Sequence, residues 1–599
     1  MRERTSPSLI TPDPAMSIPG LLTRRLDREP TSTYLERKVA LGSTWTPVSI
    51  REFHNEVTAV AKGLVALGVQ PGDRVSIMSR TRCEWTVLDF AIWAAGAVPV
   101  PVYETSSADQ VQWILSDAEV GLALVETGAH ASLTESVRPQ LPGLGEVLVI
   151  DEGALELLTR KGARVDDAEI ERRSAASKMD DLATIIYTSG TTGRPKGVEL
   201  THGNFVTQCL EGVAGLGTVC AAPGSRTLLF MPLAHVFARF IEVLCLASGA
   251  VVGHTPDTKN LLADLGTFRP TFVLSVPRVF EKVYNSAEQK AGGGIKLKLF
   301  RWAAKTSIVY SRALDTSAGP NARLRSQHAL ADKLVLHKLR NALGGQAVFA
   351  ISGGAPLGER LGHFYRGLGL TVLEGYGLTE TTAPASVGLP EKSKIGTVGP
   401  PFPGSTIRIA DDGEVQIKGA LVFRGYRNNP QASSAAFDKG WFRTGDLGAL
   451  DDDGYLTITG RKKEIIVTAG GKNVAPAPLE DRLRGHPLVS QVVVVGDNRP
   501  FIAALVTLDA EMLPGWLAGH ALPPMDVTTA ARSHAVLAAL DRAVERTNTA
   551  FSRPESIRKF TVLTIDFTVE NQYLTPSLKV KRARVLADFA DQIEGLYAD

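Results

Sequence analysis

Short apolar runs rich in β-branched residues alternate with stretches of helical spacing along most of this chain, and no other feature constrains its fold as tightly. Arg74-Val-Ser-Ile-Met78, Val98-Pro-Val-Pro-Val102, Val120-Gly-Leu-Ala-Leu-Val125 and Glu146-Val-Leu-Val-Ile150 read as strands. Residues 57–67 and 85–95 place apolar side chains at helical spacing, and Gly68 with Pro71-Gly72-Asp73 stops the first of these helices. The rhythm resumes at Leu182-Ala-Thr-Ile-Ile186, Arg226-Thr-Leu-Leu-Phe-Met231, Thr271-Phe-Val-Leu-Ser-Val276 and Ala347-Val-Phe-Ala-Ile-Ser352. Such alternation predicts a mostly parallel sheet covered by helices, with ligands held where strands run into polar or glycine-bearing loops.

At 599 residues the chain exceeds a single core and calls for roughly three or four structural units. Past about residue 390 the pattern changes to short strands and tight turns, with Asp412-Gly413 and Asp453-Gly454 as hairpin signals. The expected fold is α/β: a large N-terminal domain of mixed α/β subdomains plus a small β unit, then a smaller α+β C-terminal domain. The charged break Gly460-Arg-Lys-Lys-Glu464 sets the boundary, giving domains over 19–460 and 461–599. Residues 1–18, with Pro7, Pro12 and Pro14 and little to bury, are expected to be a disordered tail.

A net charge of +2 gives no global field for nucleic acid, so no nucleic-acid partner is expected. Cys83, Cys209, Cys220 and Cys245 show no close pairing for zinc, a redox dithiol or a disulfide framework, which fits a reducing cytoplasm. No signal sequence or apolar span of about 20 residues is present, so a soluble chain is expected. Residues 289–340 stand apart, with eleven Lys or Arg against two acids, and with Leu299, Trp302, Thr306 and Val309/Tyr310 at helical spacing. Two readings are open. The segment either makes a peripheral contact at the inner face of the membrane and admits an apolar substrate, or packs its apolar face on the body with its lysines solvated.

Between two extended stretches lies Tyr187-Thr-Ser-Gly-Thr-Thr-Gly-Arg-Pro-Lys-Gly197. Gly190, Gly193 and Gly197 let backbone N–H groups turn toward an anion; Ser189, Thr191 and Thr192 add hydroxyls, and Arg194 with Lys196 adds positive charge. It is not a nucleoside-triphosphatase P-loop, because Pro195 replaces the glycine before the lysine and Gly197 replaces the metal-binding hydroxyl. Taken alone it is equally an ordinary Gly/Ser/Thr surface loop. Four further stretches follow: Glu374-Gly-Tyr-Gly-Leu-Thr-Glu-Thr-Thr382, Trp441-Phe-Arg-Thr-Gly-Asp-Leu-Gly448, Gly460 to Asn473, and Leu574-Thr-Pro-Ser-Leu-Lys-Val-Lys-Arg582.

In this order the five stretches resemble the adenylate-forming superfamily of acyl-CoA synthetases, luciferases and peptide-synthetase adenylation domains, from about residue 30 onward. The Thr575-Pro-Ser-Leu-Lys579 ending, the 289–340 insert and Val102-Tyr-Glu-Thr-Ser are similar to its long-chain fatty acyl-CoA synthetase branch. The resemblance implies an ATP-dependent ligase that activates a long-chain fatty acid as acyl-adenylate, releases pyrophosphate and passes the acyl group to coenzyme A, with Mg²⁺. Alternatives within the fold are delivery to a carrier protein and a shorter or aromatic acid; outside it stands a membrane scaffold that binds nucleotide without catalysis.

The same resemblance implies the residue roles. Thr188, Ser189, Gly190, Thr191, Thr192, Gly193 and Lys196 would hold the departing phosphates, and Tyr376 with Gly377 would meet adenine, closed on the other side by Gly354, Ala355 and Pro356. Thr379 would bond the α-phosphate, Glu380 would hold Mg²⁺, and Asp446 with Arg461 would take the ribose and nucleotide. Lys579 matches the adenylation lysine, although Leu578 stands where many members have glycine, so Lys581 remains a rival. Lys463 matches the hinge about which a mobile small domain would rotate, carrying the Gly470-Gly471 loop toward the coenzyme A channel. His235 matches an acyl-site position, against the plainer reading of a structural histidine.

Overall fold

A computed structural model describes residues 2–38, 44–188, 194–292, 294–575 and 578–598. The alternating runs form the expected parallel strands. Val98–Val102, Arg74–Met78, Val120–Val125 and Val147–Val149 lie side by side in that order, every pair parallel. A second sheet runs Arg226–Leu229, Val251–His254, Thr33–Lys38 and Trp45–Ser49, antiparallel only in its last pair. The third has the order Phe272–Ser275, Phe349–Ser352, Thr371–Leu378, Ala383–Val387; its last pair is an antiparallel return that folds the Tyr376 stretch back on itself. One extensive apolar cluster, from Ile18 to Phe442, joins these layers.

The hairpin signals also hold. Ser405–Ile409, Glu414–Gly419, Trp441–Leu450 and Leu456–Arg461 form an antiparallel unit, with Gly413 in the left-handed turn region at φ +82°. After it, Val489–Val495, Ile502–Leu508 and Ile557–Leu563 make a sheet backed by the helices Pro476–Arg484 and His534–Asn548. The apolar clusters that this α+β part builds start at Ile466 and take in no earlier residue among those described. The architecture is thus a large mixed α/β N-terminal domain followed by a smaller C-terminal one.

Two expectations are corrected. The expected disordered tail over 1–18 is ordered from residue 2: Arg2–Ser6 pairs antiparallel with Ser405–Ile409, the Glu211 carboxylate accepts bonds from the Leu9 N–H (2.9 Å) and the Ser8 hydroxyl (2.5 Å), and Ser17 caps the helix Ile18–Arg28. An edge strand needs backbone pairing more than apolar side chains, so composition gives no warning of it. The basic segment is helical, as expected, over Gly294–Leu314, Ala322–Ala331 and His337–Ala342, but its buried face matches the spacing only at Thr306 and, in part, Trp302. Phe300, Ala303, Ala304, Thr306, Ser307 and Ser311 are buried, while Val309 is exposed.

Candidate active site

The antiparallel return of the third sheet builds the first half of the site. Its register slips between Tyr376 and Gly377, and a Cβ on Gly377 would lie 1.7 Å from the Ala383 carbonyl oxygen, so only glycine fits there. Thr382 and Ala383 turn the chain with φ of +50° and +76°, a conformation costly for side-chain-bearing residues. Hydroxyls hold the turn: Thr381 Oγ1 accepts from the Leu378 N–H (2.9 Å) and Thr382 Oγ1 donates to the Leu421 carbonyl (2.8 Å). Strain fixed in this way sets the direction of Thr379 and Glu380.

The second half comes from the small β unit. Strand pairing places Asp446 opposite Arg461, and their side chains form an ion pair at 3.0 Å. Asp446 is only 3% exposed, and its other oxygen accepts the Tyr376 hydroxyl at 2.6 Å. Burial and Asp446 push the Tyr376 phenol well above its usual pKa, so it stays a donor. Aromatic ring, buried carboxylate and guanidinium therefore line one cavity of about 1970 Å³, together with Gly354, Ala355, Pro356, Gly377, Lys463 and Glu464. Gly354 supports the facing turn at φ +85°.

Lys579 enters this cavity from the C-terminal domain. The Thr575 N–H donates to the Lys579 carbonyl (2.8 Å) and the Lys579 N–H to Thr575 Oγ1 (3.1 Å), closing a tight turn. Leu578 sits in that turn at φ +62°, the region glycine favours, which explains why glycine suits the position. Lys579 is exposed as a residue where it lines the cavity, yet desolvation by the surrounding walls and then Arg461 lower its pKa, opposed by Asp446, Glu380 and Glu464. Lys581 lines the same cavity, and desolvation and then Arg584 lower its pKa.

Glu380 and Lys196 meet through a residue that the sequence did not single out. The Tyr426 hydroxyl donates to Glu380 Oε1 at 2.9 Å, and the Lys196 ammonium lies 4.8 Å from the centre of the same ring. Gly425–Tyr426 is a short strand paired to Lys196–Thr201, which explains the meeting. Its only sequence signal is a Gly-Tyr pair before Asn429 and Pro430. Thr188 faces Lys196 across the hairpin, while Ser189, Gly190, Thr191, Thr192 and Gly193 lie outside the described residues.

His235 caps the helix Val236–Ser248, with Nδ1 accepting the Phe237 N–H at 3.2 Å. Burial, then the charge of Lys579, pushes its pKa down to about 4, so it is a neutral cap beside the catalytic lysine candidate. Gly470 and Gly471 are exposed in the turn between Ile466–Val467 and Asn473–Val474, and they are not among the cavity's lining residues. Among the described residues no group of three or more His, Cys, Asp and Glu forms a metal cage. A lone carboxylate at Glu380 fits Mg²⁺, which takes one or two carboxylates and otherwise phosphate and water oxygens.

The sequence profile of AMP-binding enzymes matches residues 25–427, and that of the AMP-binding enzyme C-terminal domain matches 463–599. The chain belongs to the AMP-binding enzyme family. The long-chain-fatty-acid–CoA ligase FadD15 of Mycobacterium bovis is 51% identical over 601 aligned residues, covering 100% of both chains, and that of Mycobacterium tuberculosis is 50% identical with the same coverage. The human long-chain-fatty-acid–CoA ligase 1 is 32% identical across 88% of this chain and 79% of its own. Among solved structures, the adenylation domain of a carboxylate reductase from Mycobacterium chelonae superposes with a TM-score of 0.75 at 23% identity, covering 98% of this chain and 92% of its own. The o-succinylbenzoate CoA synthetase of Bacillus subtilis, solved with ATP and magnesium, gives 0.67 at 22%, covering 94% and 98%. At these identities the structures establish a shared fold for this AMP-binding enzyme.

Proposed function

We propose that this AMP-binding enzyme is a long-chain-fatty-acid–CoA ligase that forms AMP and pyrophosphate. The observation that carries the reading is the 51% identity, over the whole of both chains, to a ligase of that name. The site chemistry agrees with it. ATP lies with adenine against Tyr376 and the Gly354-Ala355-Pro356 turn, and with its ribose hydroxyls on Asp446, whose bond from Tyr376 gives way or is shared. Lys196 and the loop before it take the β- and γ-phosphates. Mg²⁺ held at Glu380 neutralises phosphate charge when bound. The fatty carboxylate oxygen attacks the α-phosphorus, the bond to the β-phosphate oxygen breaks, and Lys579 with Thr379 stabilises the charge that gathers between them. The thiol of coenzyme A then displaces AMP from the acyl carbon after the small domain turns about Lys463 and brings Gly470 and Gly471 round.

A domain break at 460/461, with the N-terminal strand Arg2–Ser6 counted in the first domain, a cytoplasmic location and peripheral membrane contact through the basic 289–340 segment complete this reading. It is supported by the family profiles ending at 427 and resuming at 463, and by four cysteines without disulfides, three of them buried.

The test is a panel of acids of increasing length, with ATP and Mg²⁺, assayed for pyrophosphate and acyl-CoA with and without coenzyme A. Long-chain acids should give acyl-CoA. Product formation indifferent to coenzyme A would mean delivery to a carrier instead, and no acid-dependent pyrophosphate at all would mean a scaffold. In the same assay Lys579→Ala should slow adenylation at least about 100-fold and spare thioester formation from preformed acyl-adenylate, whereas Lys581→Ala should do neither. Equal loss of both half-reactions in Lys579→Ala would remove that lysine from the role.

A further inference from the structure

The helix Gly294–Leu314 carries Lys296, Lys298, Arg301, Lys305 and Arg312 and no acid. Its inner face packs on the helix Glu359–Leu368 so closely that a Cβ on Gly367 would lie 2.2 Å from the Ser307 carbonyl oxygen. The outer face is a stripe. Ile295, Lys298, Trp302, Lys305, Val309 and Arg312 follow one another at three- and four-residue steps, over about 26 Å of helix. Ile295 is 85% exposed and Val309 43%; Lys298, Lys305 and Arg312 are exposed, and Trp302 is half-buried.

Nearby acids do not neutralise this stripe. Asp315 is taken by Arg366 at 2.6 Å and Asp332 by Arg340 at 2.5 Å, which leaves the surface charge of the segment cationic. On the flank, Leu297, Arg301 and Arg312 line the same cavity as Tyr376 and Asp446.

We propose that this stripe docks on an anionic lipid bilayer and holds the cavity against the surface in which a long-chain acid dissolves. Alternating cations and apolar side chains at one level match a headgroup layer, with ammonium groups on lipid phosphates and the exposed Ile295 and Val309 at the acyl boundary, while Trp302 between them anchors the helix on the core. A nucleic acid would use the charges but leave the exposed isoleucine and valine in water, and a purely solvated helix would need neither. The docking surface rests on charge and exposure; only its purpose rests on the proposed ligase activity.

The experiment is co-sedimentation of the full chain with vesicles of phosphatidylglycerol and phosphatidylcholine, against phosphatidylcholine alone. Binding should require phosphatidylglycerol and weaken with salt. The double variant K298E/K305E should bind at least about tenfold more weakly, and I295S/V309S should lose the binding that survives high salt. Lys298 and Lys305 lie outside the cavity lining, so K298E/K305E should keep its melting temperature and its ligation of acid presented in detergent. Equal binding to both vesicle types, binding unmoved by K298E/K305E, or capture by a DNA duplex in preference to vesicles overturns the proposal. A wild-type chain that binds these vesicles yet ligates no acid sinks the proposed activity and leaves the docking surface standing.

Discussion

Tyr426 joins the two charges on which phosphate chemistry depends, since its hydroxyl orients Glu380 and its ring face supports Lys196. Burial and Glu380 raise its pKa, so it remains a hydrogen-bond donor to the carboxylate proposed above to hold Mg²⁺. Tyr426→Phe keeps the ring and its cation contact and removes only the hydroxyl. It should raise the Mg²⁺ concentration for half-maximal pyrophosphate release about 10- to 100-fold, with the rate at saturating Mg²⁺ largely kept and the melting temperature within a few degrees. A lower melting temperature with unchanged Mg²⁺ dependence would reduce Tyr426 to a packing residue. Asp446, Tyr376 and Lys579 were legible in the sequence because each stands in a motif of distinctive composition. Tyr426 was not, because its role depends on a two-residue strand pairing with a hairpin more than 200 residues earlier.

Elements differ in legibility for a similar reason. Parallel strands such as Val98–Val102 are buried on both faces, so they appear as continuous apolar runs and were readable. The edge strand Arg2–Ser6 is held by backbone bonds and exposes most of its side chains, so it read as a tail. For the helix Gly294–Leu314, period alone marks Leu299, Trp302, Thr306 and Val309/Tyr310 as one apolar face, of which Thr306 is buried and Val309 exposed. After Phe300 the observed face is small, Ala303, Ala304, Thr306, Ser307 and Ser311, because the facing helix offers Gly367 and the backbones meet almost directly. A large apolar residue cannot enter the contact where Ser307 meets Gly367; Phe300 is buried before it and Val309 turns outward after it. A rule that sends the bulkiest residues inward fails where two helices approach through glycine and serine.

At the scale of the whole molecule, Lys579 lies in the nucleotide cavity only because the C-terminal domain is seated as it is. Beyond the pairs made by Arg461 and Lys462 at the domain break, two ion pairs among the described residues cross between the domains: Arg278 with Asp509 at 2.8 Å, both largely buried, and Lys282 with Glu511 at 2.9 Å, both exposed. The first carries the weight, since exposed pairs contribute little. Asp509 divides its oxygens, one accepting the Glu511 and Met512 N–H groups at 3.1 Å and the other facing Arg278. Asp509→Asn therefore preserves the local turn and removes the attraction to Arg278, which keeps Glu281 as a partner at 3.2 Å. If this pair holds the domain where Lys579 can act, the variant should adenylate roughly three- to tenfold more slowly, a loss of about 1 kcal/mol. Thioester formation from preformed acyl-adenylate should be unchanged or faster, because in the proposed reaction that step uses the domain turned away. The two half-reactions measured separately in single turnovers decide it: parallel slowing of both would mean that Asp509 supports the fold of the C-terminal domain and has no part in where that domain sits.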